Sequence, residues 1–270
     1  MSNRPPIAVT GATGNIGGRV ARRLSDAGHA QLLLVRDPSR ARGLPGATAT
    51  RAEFADRDAV RRALDGLPVV LMVSASESAD RLDHHRAFVD AAADAGVGHL
   101  VYTSFVGAAP DATFTLVRDH WATEQHIRAS GLRFTFLRDN LYADFLPGMV
   151  GGDGVLRGPA GDGRAAVVAQ DDIADAATAV LTDPEAHAGR TYDLTGPEAL
   201  TFHEIAAVLS DATGRTVTYH PETVEEAYRS RAAYHAPDWQ VDAWVSTYTA
   251  IAAGELAHVS DAVPTLTGHP

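Results

Sequence analysis

The stretch VTGATGNIGG, residues 9–18, constrains this chain more than any other. Gly11, Gly14 and Gly17 fall at G-x-x-G-x-x-G spacing, directly after the short apolar run IAVT and directly before NIGGRVARRLSDAG, where Ile16, Val20 and Leu24 recur at helical spacing. A strand that turns into a helix through three glycines needs residues without a Cβ for definite reasons. The chain must turn sharply, its N–H groups must approach a pyrophosphate, and the helix must pack closely on the sheet. A glycine triplet also closes ordinary strand-to-helix turns, but the buried strand before it and the amphipathic helix after it favour nucleotide binding.

The unit repeats with variations. Gly28 closes the first helix and QLLLVR follows as an all-apolar run, the sign of a strand covered on both faces. PVVLMVSA and HLVYTSF are further buried runs, and the helix between them carries Leu82, His85, Val89 and Ala92 on one face. TLVRDHWATEQHIRASG predicts another helix, and RFTFLRDNLY a strand running into a loop. The order predicts an α/β fold, a doubly wound parallel Rossmann sheet over residues 1–140, with a smaller C-terminal substrate-side region over 141–270. Within that region FLPGMVGGDGVLRGPAGDGR reads as a glycine-rich surface lobe or flap. DDIADAATAVLTDP is a helix with an acidic first turn, RTYDLTG a strand, and TFHEIAAVLSDATG a helix opened by a capping box from Thr201 to Glu204. Residues from about 165 to 190 are expected to pack back on the Rossmann core.

Composition removes several chemistries. All 23 basic residues are arginine, which excludes a P-loop, a Schiff-base enzyme and any lysine proton relay. There is no cysteine, hence no thiolate ligand or nucleophile, and His84-His85 points in two directions on its helix, so no metal is expected. A net charge of -11 argues against nucleic acid as a partner. No run approaches the roughly 20 apolar residues of a membrane helix, and no signal peptide is visible, so a cytoplasmic protein without membrane insertion is expected.

About 20 residues past the glycine turn an NAD binder offers an acid to the ribose. Here the second strand ends in Arg36, suited to the 2′-phosphate of NADP(H) by bidentate contact; the competing reading has Asp37 take the ribose and leaves Arg36 a solvated charge.

Taken together, VTGATGNIGG, LVRDPSRA, YTS, HIRASGLRFTFLRDN, DDIADAATAVL and YDLTGPEALTFHEIAAVL resemble the NmrA-like branch of the atypical short-chain dehydrogenases, and within it the bacterial NAD(P)H:quinone oxidoreductases of type 2. The resemblance weakens after about residue 221. It implies that Thr10, Gly11, Thr13, Gly14, Asn15, Ile16 and Gly17 hold the pyrophosphate, Arg36 the 2′-phosphate, and that Glu53 and Phe54 border the adenine. It also implies that Ser74, Ala75 and Ser76, with Thr103 and Ser104, line the nicotinamide ribose.

The chain departs from short-chain dehydrogenases in the Y-x-x-x-K pair. Aligned on Glu124, the tyrosine position is Leu116 and the lysine position His120. Hydride transfer to a ketone leaves an alkoxide, conjugate base of an acid as weak as water, pKa roughly 15.7. A quinone leaves a phenolate-like anion of pKa about 10. The gap corresponds to about 8 kcal/mol less charge to stabilise. The expected function is therefore an NADPH-dependent oxidoreductase delivering hydride to a small-molecule electron acceptor, a quinone or similar conjugated carbonyl. Ser76, Ser104 or His120 would hydrogen-bond the developing oxyanion. His120 also reads as a polar residue on a helix edge. Asn140 and Tyr142 offer substrate contacts, or else cap a loop and fill a lobe. Trp239 and Trp244 are read as packing residues. The rival expectation is a redox-sensing regulator that binds NADP without turnover.

Overall fold

The computed structural model of the protein describes residues 6–270. In chain order its elements begin β1 (Ile7–Thr10), α1 (Asn15–Asp26), β2 (Gln31–Val35), β3 (Ala47–Arg51), α2 (Arg57–Leu64), β4 (Val69–Met72) and α3 (Arg81–Asp94). β5 (His99–Phe105), α4 (Thr115–Ala129), β6 (Arg133–Asp139), β7 (Val155–Gly158), β8 (Arg164–Ala165), α5 (Gln170–Thr182) and β9 (Thr191–Leu194) follow. The chain ends with β10 (Leu200–Thr201), α6 (Phe202–Thr213), β11 (Thr218–Pro221), α7 (Val224–Arg231), α8 (Asp238–Ala252) and α9 (Ala262–Thr267). Seven strands form one parallel sheet in the order β3-β2-β1-β4-β5-β6-β9. From β1 the chain winds outward to β2 and β3, then returns to β4 and winds the other way. This reversal at β1 and β4 is the crevice where doubly wound sheets take ligands.

Alternation of side chains along the strands builds two cores. Val9, Leu71, Val101 and Leu137 face one way and pack with Ile16, Val20 and Leu24 of α1 and Ile173, Ala177 and Val180 of α5. Ala8, Val70, Met72, Tyr102 and Phe136 face the other, against Val60 of α2, Phe88 and Val89 of α3 and Ile127 of α4. β3 has no all-apolar run to announce it in the sequence. Its ATATR is an edge strand, half exposed, held by β2 alone.

The acidic first turn of α5 has a partner besides its own helix dipole. Arg23 on α1 donates to Asp171 at 2.9 Å and to Asp175, and Arg19 reaches Asp171 and Asp144 at 3.1 and 3.0 Å. α5 thus docks on α1, and β9 completes the sheet beside β6.

The glycine-rich segment differs from the surface flap that its composition suggests. β7 pairs in parallel with β11 and β8 antiparallel with β10, and Leu156, Ala160 and Ala165 are fully buried in a third core with Phe202, Tyr219, Tyr248 and Ile251. Gly158 and Gly163 permit this. A Cβ on the first would collide with the Tyr248 ring, and on the second with the Ile251 carbonyl of α8. The glycines mark close backbone approach to a helix. The Thr201–Glu204 capping box forms as the sequence predicts.

Leu137 is fully buried on β6, between β5 and β9, so Leu137→Ala is expected to destabilise the protein by about 2–5 kcal/mol. Val208→Ala, at a site 56% exposed, is expected to stay within about 0.5 kcal/mol. Urea unfolding midpoints at constant slope provide the comparison.

Candidate active site

The glycine turn sits at the centre of the carboxyl edge. Gly11 has φ of +63°, and a Cβ on Gly17 would lie 2.5 Å from the carbonyl oxygens of both Thr10 and Gly11. Only hydrogen fits there, and α1 therefore starts directly above the end of β1. Gly14 is the N-cap, no side chain caps the helix, and its first turn holds no acid. The first N–H groups of α1 are left for an anion, which is what a pyrophosphate requires. Thr10 itself is buried, and its Oγ1 accepts from Val73 N–H at 2.8 Å, fastening β1 to the end of β4.

A cavity of about 530 Å³ runs over this turn. Gly11, Thr13, Gly14, Asn15, Ile16 and Gly17 line its middle, Arg36, Glu53 and Phe54 one end, and Ser74, Ala75 and Ser76 the other. The structure thus brings together nearly all the residues read as cofactor contacts. It adds Val73, Ala55, Glu77, Ser78, Asp80 and His84, which the sequence reading had missed. Asp37, the rival to Arg36, is turned into its own loop. Its carboxylate accepts from Ser39 N–H at 3.0 Å and Ser39 Oγ at 2.7 Å, and those bonds hold it below the usual carboxylate range. Arg36 is exposed and has no ion-pair partner among the described residues, so its fork is available to a phosphate.

Beneath the Ser74–Ser76 loop lies a buried polar network. Ser74 N–H donates to Thr103 Oγ1 at 2.8 Å, Ala75 N–H to His85 Nε2 at 2.9 Å, and Arg81 Nε to the Ala75 carbonyl at 2.9 Å. Since His85 Nε2 accepts, Nδ1 carries the ring proton and gives it to Thr123 Oγ1, 2.9 Å away, whose hydroxyl donates to the Asp119 carbonyl at 2.7 Å. Arg81 also fixes His120. A guanidinium only donates, so its bond of 2.9 Å to Nε2 makes that nitrogen an acceptor and leaves Nδ1–H for Tyr102 Oη at 2.9 Å. Burial first, and the Arg81 charge second, hold both imidazoles well below their ordinary range.

Several candidate residues therefore stand elsewhere than on the cavity wall. His120 is buried under the loop with both ring nitrogens engaged. Ser104 is buried and donates to Glu124 Oε1 at 2.6 Å, while Arg138 grips the same carboxylate through two bonds of 2.8 and 2.7 Å. Thr103 reaches the cavity only through the Ser74 amide. Asn140 is 1% exposed, its amide donating to the Leu256 carbonyl at 3.0 Å and its Oδ1 accepting from Leu141 N–H at 2.7 Å, so it clamps the C-terminal segment to the end of β6. Tyr142 is half-buried with its hydroxyl on Asp139 Oδ2 at 2.9 Å. Trp239 and Trp244 are also half-buried, and the Trp244 indole donates to Glu77 at 3.3 Å beside Gln240 at 3.0 Å, tying α8 to the cavity loop. "SESADRLDHH" carried the signal for Arg81 and His85, but only the fold shows both turning inward beneath their own loop.

The NmrA-like family model matches residues 4–238. Quinone oxidoreductase 2 of Escherichia coli is 32% identical over 98% of this chain and 94% of its own length. An NAD(P)H azoreductase of Xenophilus azovorans is 33% identical over 98% and 93%. The solved structure of the E. coli NADPH-dependent quinone oxidoreductase in complex with NADPH superposes with a TM-score of 0.89 at 32% identity, covering 98% of this chain and 95% of that one.

Two outcomes are expected from this geometry. Gly17→Ala must push α1 off β1 and is expected to weaken NADPH binding by at least about tenfold, read by calorimetric titration. His85 and His120 are neutral when folded but take a proton near pH 6.5 (about) when unfolded, so their contribution is complete above that pH and lost as pH falls. His120→Gln, less stable at pH 7, is expected to lose less of its urea midpoint between about pH 7 and pH 5 than the parent does.

Proposed function

Because this chain belongs to the NmrA-like family, we propose that it is an NADPH-dependent oxidoreductase that delivers hydride to a quinone or a similarly conjugated carbonyl. The observation that carries the reading is the cavity itself. It has an uncapped helix N-terminus at its centre and, at one end, an open arginine fork with the adjacent aspartate turned away. In this reading Thr10 to Gly17 hold the pyrophosphate, and Arg36 meets the 2′-phosphate. Phe54, tilted over Phe88 with centroids 4.5 Å apart, borders the adenine with Glu53.

With the adenosine end over β2 and β3, the other end of the dinucleotide runs past Ser74–Ser76 toward the carboxyl ends of β5 and β6. When bound, NADPH supplies the hydride. The protein orients it through the Ser74–Ser76 backbone, which Thr103, His85 and Arg81 hold from below. Two aromatic pairs stand at those strand ends, Phe105 with Phe114 at 5.5 Å and Tyr142 with Phe145 at 5.2 Å between centroids. Their apolar faces suit a flat conjugated acceptor. Residues 1–140 form the cofactor side and 141–270 the substrate side, of which about 165–190 returns to the core through α5, with β9 following it into the sheet.

The test is NADPH oxidation followed by its absorbance across a panel of quinones, azo compounds and simple ketones. Turnover with the quinones and little with the ketones is expected; no oxidation with any acceptor rejects the enzyme in favour of a nucleotide-binding regulator. Arg36→Ala is expected to weaken NADPH binding by about 10-fold or more, the loss of one charge-assisted contact, and to leave NADH affinity within about twofold.

A further inference from the structure

We propose that Tyr142 protonates the acceptor as it is reduced and that Asp139 behind it holds the proton it passes on. The proposal rests on the oxidoreductase reading above and adds to it the donor that the helix after β5 lacks.

Four observations carry it. Asp139 ends β6 and is completely buried; its Oδ2 accepts the Tyr142 hydroxyl at 2.9 Å, and its Oδ1 has no partner among the described residues. Among the described residues no cation pairs with it. Arg138, the adjacent residue, projects from the opposite face of the strand and is spent on Glu124. Burial alone pushes the Asp139 carboxyl up to about 8, against a smaller downward pull from Tyr142, so the group carries a proton at neutral pH. The charged and titratable groups that act on Tyr142 are Asp139 itself, Arg81 from the start of α3 and Tyr102 from β5, and burial keeps its phenol protonated.

Second, Tyr142 and Val73 both pack against the apolar cluster that includes Ile16, and Val73 and Ile16 line the cavity. Third, the cavity runs from Arg36 across β1 to the end of β4, and Tyr142, outside its lining, follows β6 two strands further along the same carboxyl edge. Fourth, two of the three donors named for the oxyanion are engaged, and the third, Ser76, stands on the cavity wall at the end of β4. His120 gives its ring proton to Tyr102 and its lone pair to Arg81, and Ser104 is bonded to Glu124.

The step balances as follows. Hydride brings two electrons and one hydrogen to the acceptor, and one acceptor oxygen becomes negative. With Asp139 protonated on Oδ2 the 2.9 Å contact runs from Oδ2–H to Tyr142 Oη and frees the tyrosine hydrogen; the Tyr142 O–H bond breaks and its proton goes to that oxygen, while the Oδ2 proton of Asp139 moves to Tyr142 Oη. Asp139 is left as a carboxylate and regains a proton from water between turnovers. Tyr142 is the catalytic residue here; Asp139 acts through it as a positioning and proton-holding group.

The experiment measures kcat against pH for the wild type, Tyr142→Phe and Asp139→Asn, with one quinone and saturating NADPH. Wild-type kcat is expected to be level at low pH and to fall above about pH 8, with Tyr142→Phe about 100-fold slower at pH 7. Asp139→Asn is expected to be at least about tenfold slower with no such fall, and both variants are expected to bind NADPH within about twofold of wild type. Thermal melts add a readout independent of turnover. An acid whose folded pKa is raised favours folding at low pH and loses that advantage as pH rises to about 8, so the wild type should lose melting temperature relative to Asp139→Asn between about pH 5 and pH 9. A Tyr142→Phe protein within about threefold of wild-type kcat, or a pH profile unchanged in Asp139→Asn, overturns the relay alone. A wild-type protein that oxidises no NADPH rejects the oxidoreductase reading and the relay with it.

Discussion

Two carbonyl oxygens, those of Thr10 and Gly11, stand 2.5 Å from where a Cβ on residue 17 would be, and the nucleotide site depends on that distance. With hydrogen at residue 17, α1 begins on top of β1, and its first N–H groups, worth roughly half a positive charge, face the carboxyl edge. β1 lies between β2 and β4, the point where the winding of the sheet reverses. The turn therefore has the Arg36 strand on one side and the Ser74–Ser76 loop on the other. In the proposed reading, one pair of backbone contacts fixes where the pyrophosphate goes, and the sheet order fixes which way the two halves of the dinucleotide run.

The loop half is held by a buried cation. Arg81 is 4% exposed and gives Nε to the Ala75 carbonyl and Nη2 to His120, with Asp119 3.5 Å from Nη1. Burying an ion costs several kcal/mol even after relaxation, and the cost is tolerable only where the geometry is good. A guanidinium meets it by serving α3, α4 and the loop from one plane; a lysine ammonium on the same stem has no such fork. A chain whose basic residues are all arginine can build this support. The same bonds make His120 neutral, its Nε2 accepting from Arg81 and its Nδ1–H donating to Tyr102.

What the sequence made legible follows the range over which each signal acts. The glycine turn, the buried strands and the helix caps are local patterns, and they appear where their spacing puts them. The edge strand Ala47–Arg51 lacked an apolar run because one side of it has no neighbour. Gly158 and Gly163 looked like loop residues because the helix they approach lies some ninety residues further on. Arg81, His85, Asp139 and Glu124 are ordinary polar residues in the chain; only tertiary contact makes them buried partners. Asn140 shows the same limit, since nothing local announces that its amide reaches Leu256.

The acceptor's chemistry and the burial of Asp139 meet on one scale. An exposed aspartic acid, of pKa about 3.9, has already lost its proton at pH 7, and a free tyrosine of about 10 is no stronger an acid than a reduced quinone. A carboxyl held at about 8 lies between them: it is loaded at neutral pH and still gives its proton downhill to a phenolate-like oxygen by roughly two units, about 3 kcal/mol. Desolvation supplies that value, because Arg138 faces away and no other described residue pairs with the carboxyl. The same carboxyl cannot remove the larger cost of building an alkoxide before the proton arrives. If Tyr142 and Asp139 act as proposed, the site favours acceptors that can carry negative charge for the interval between hydride and proton.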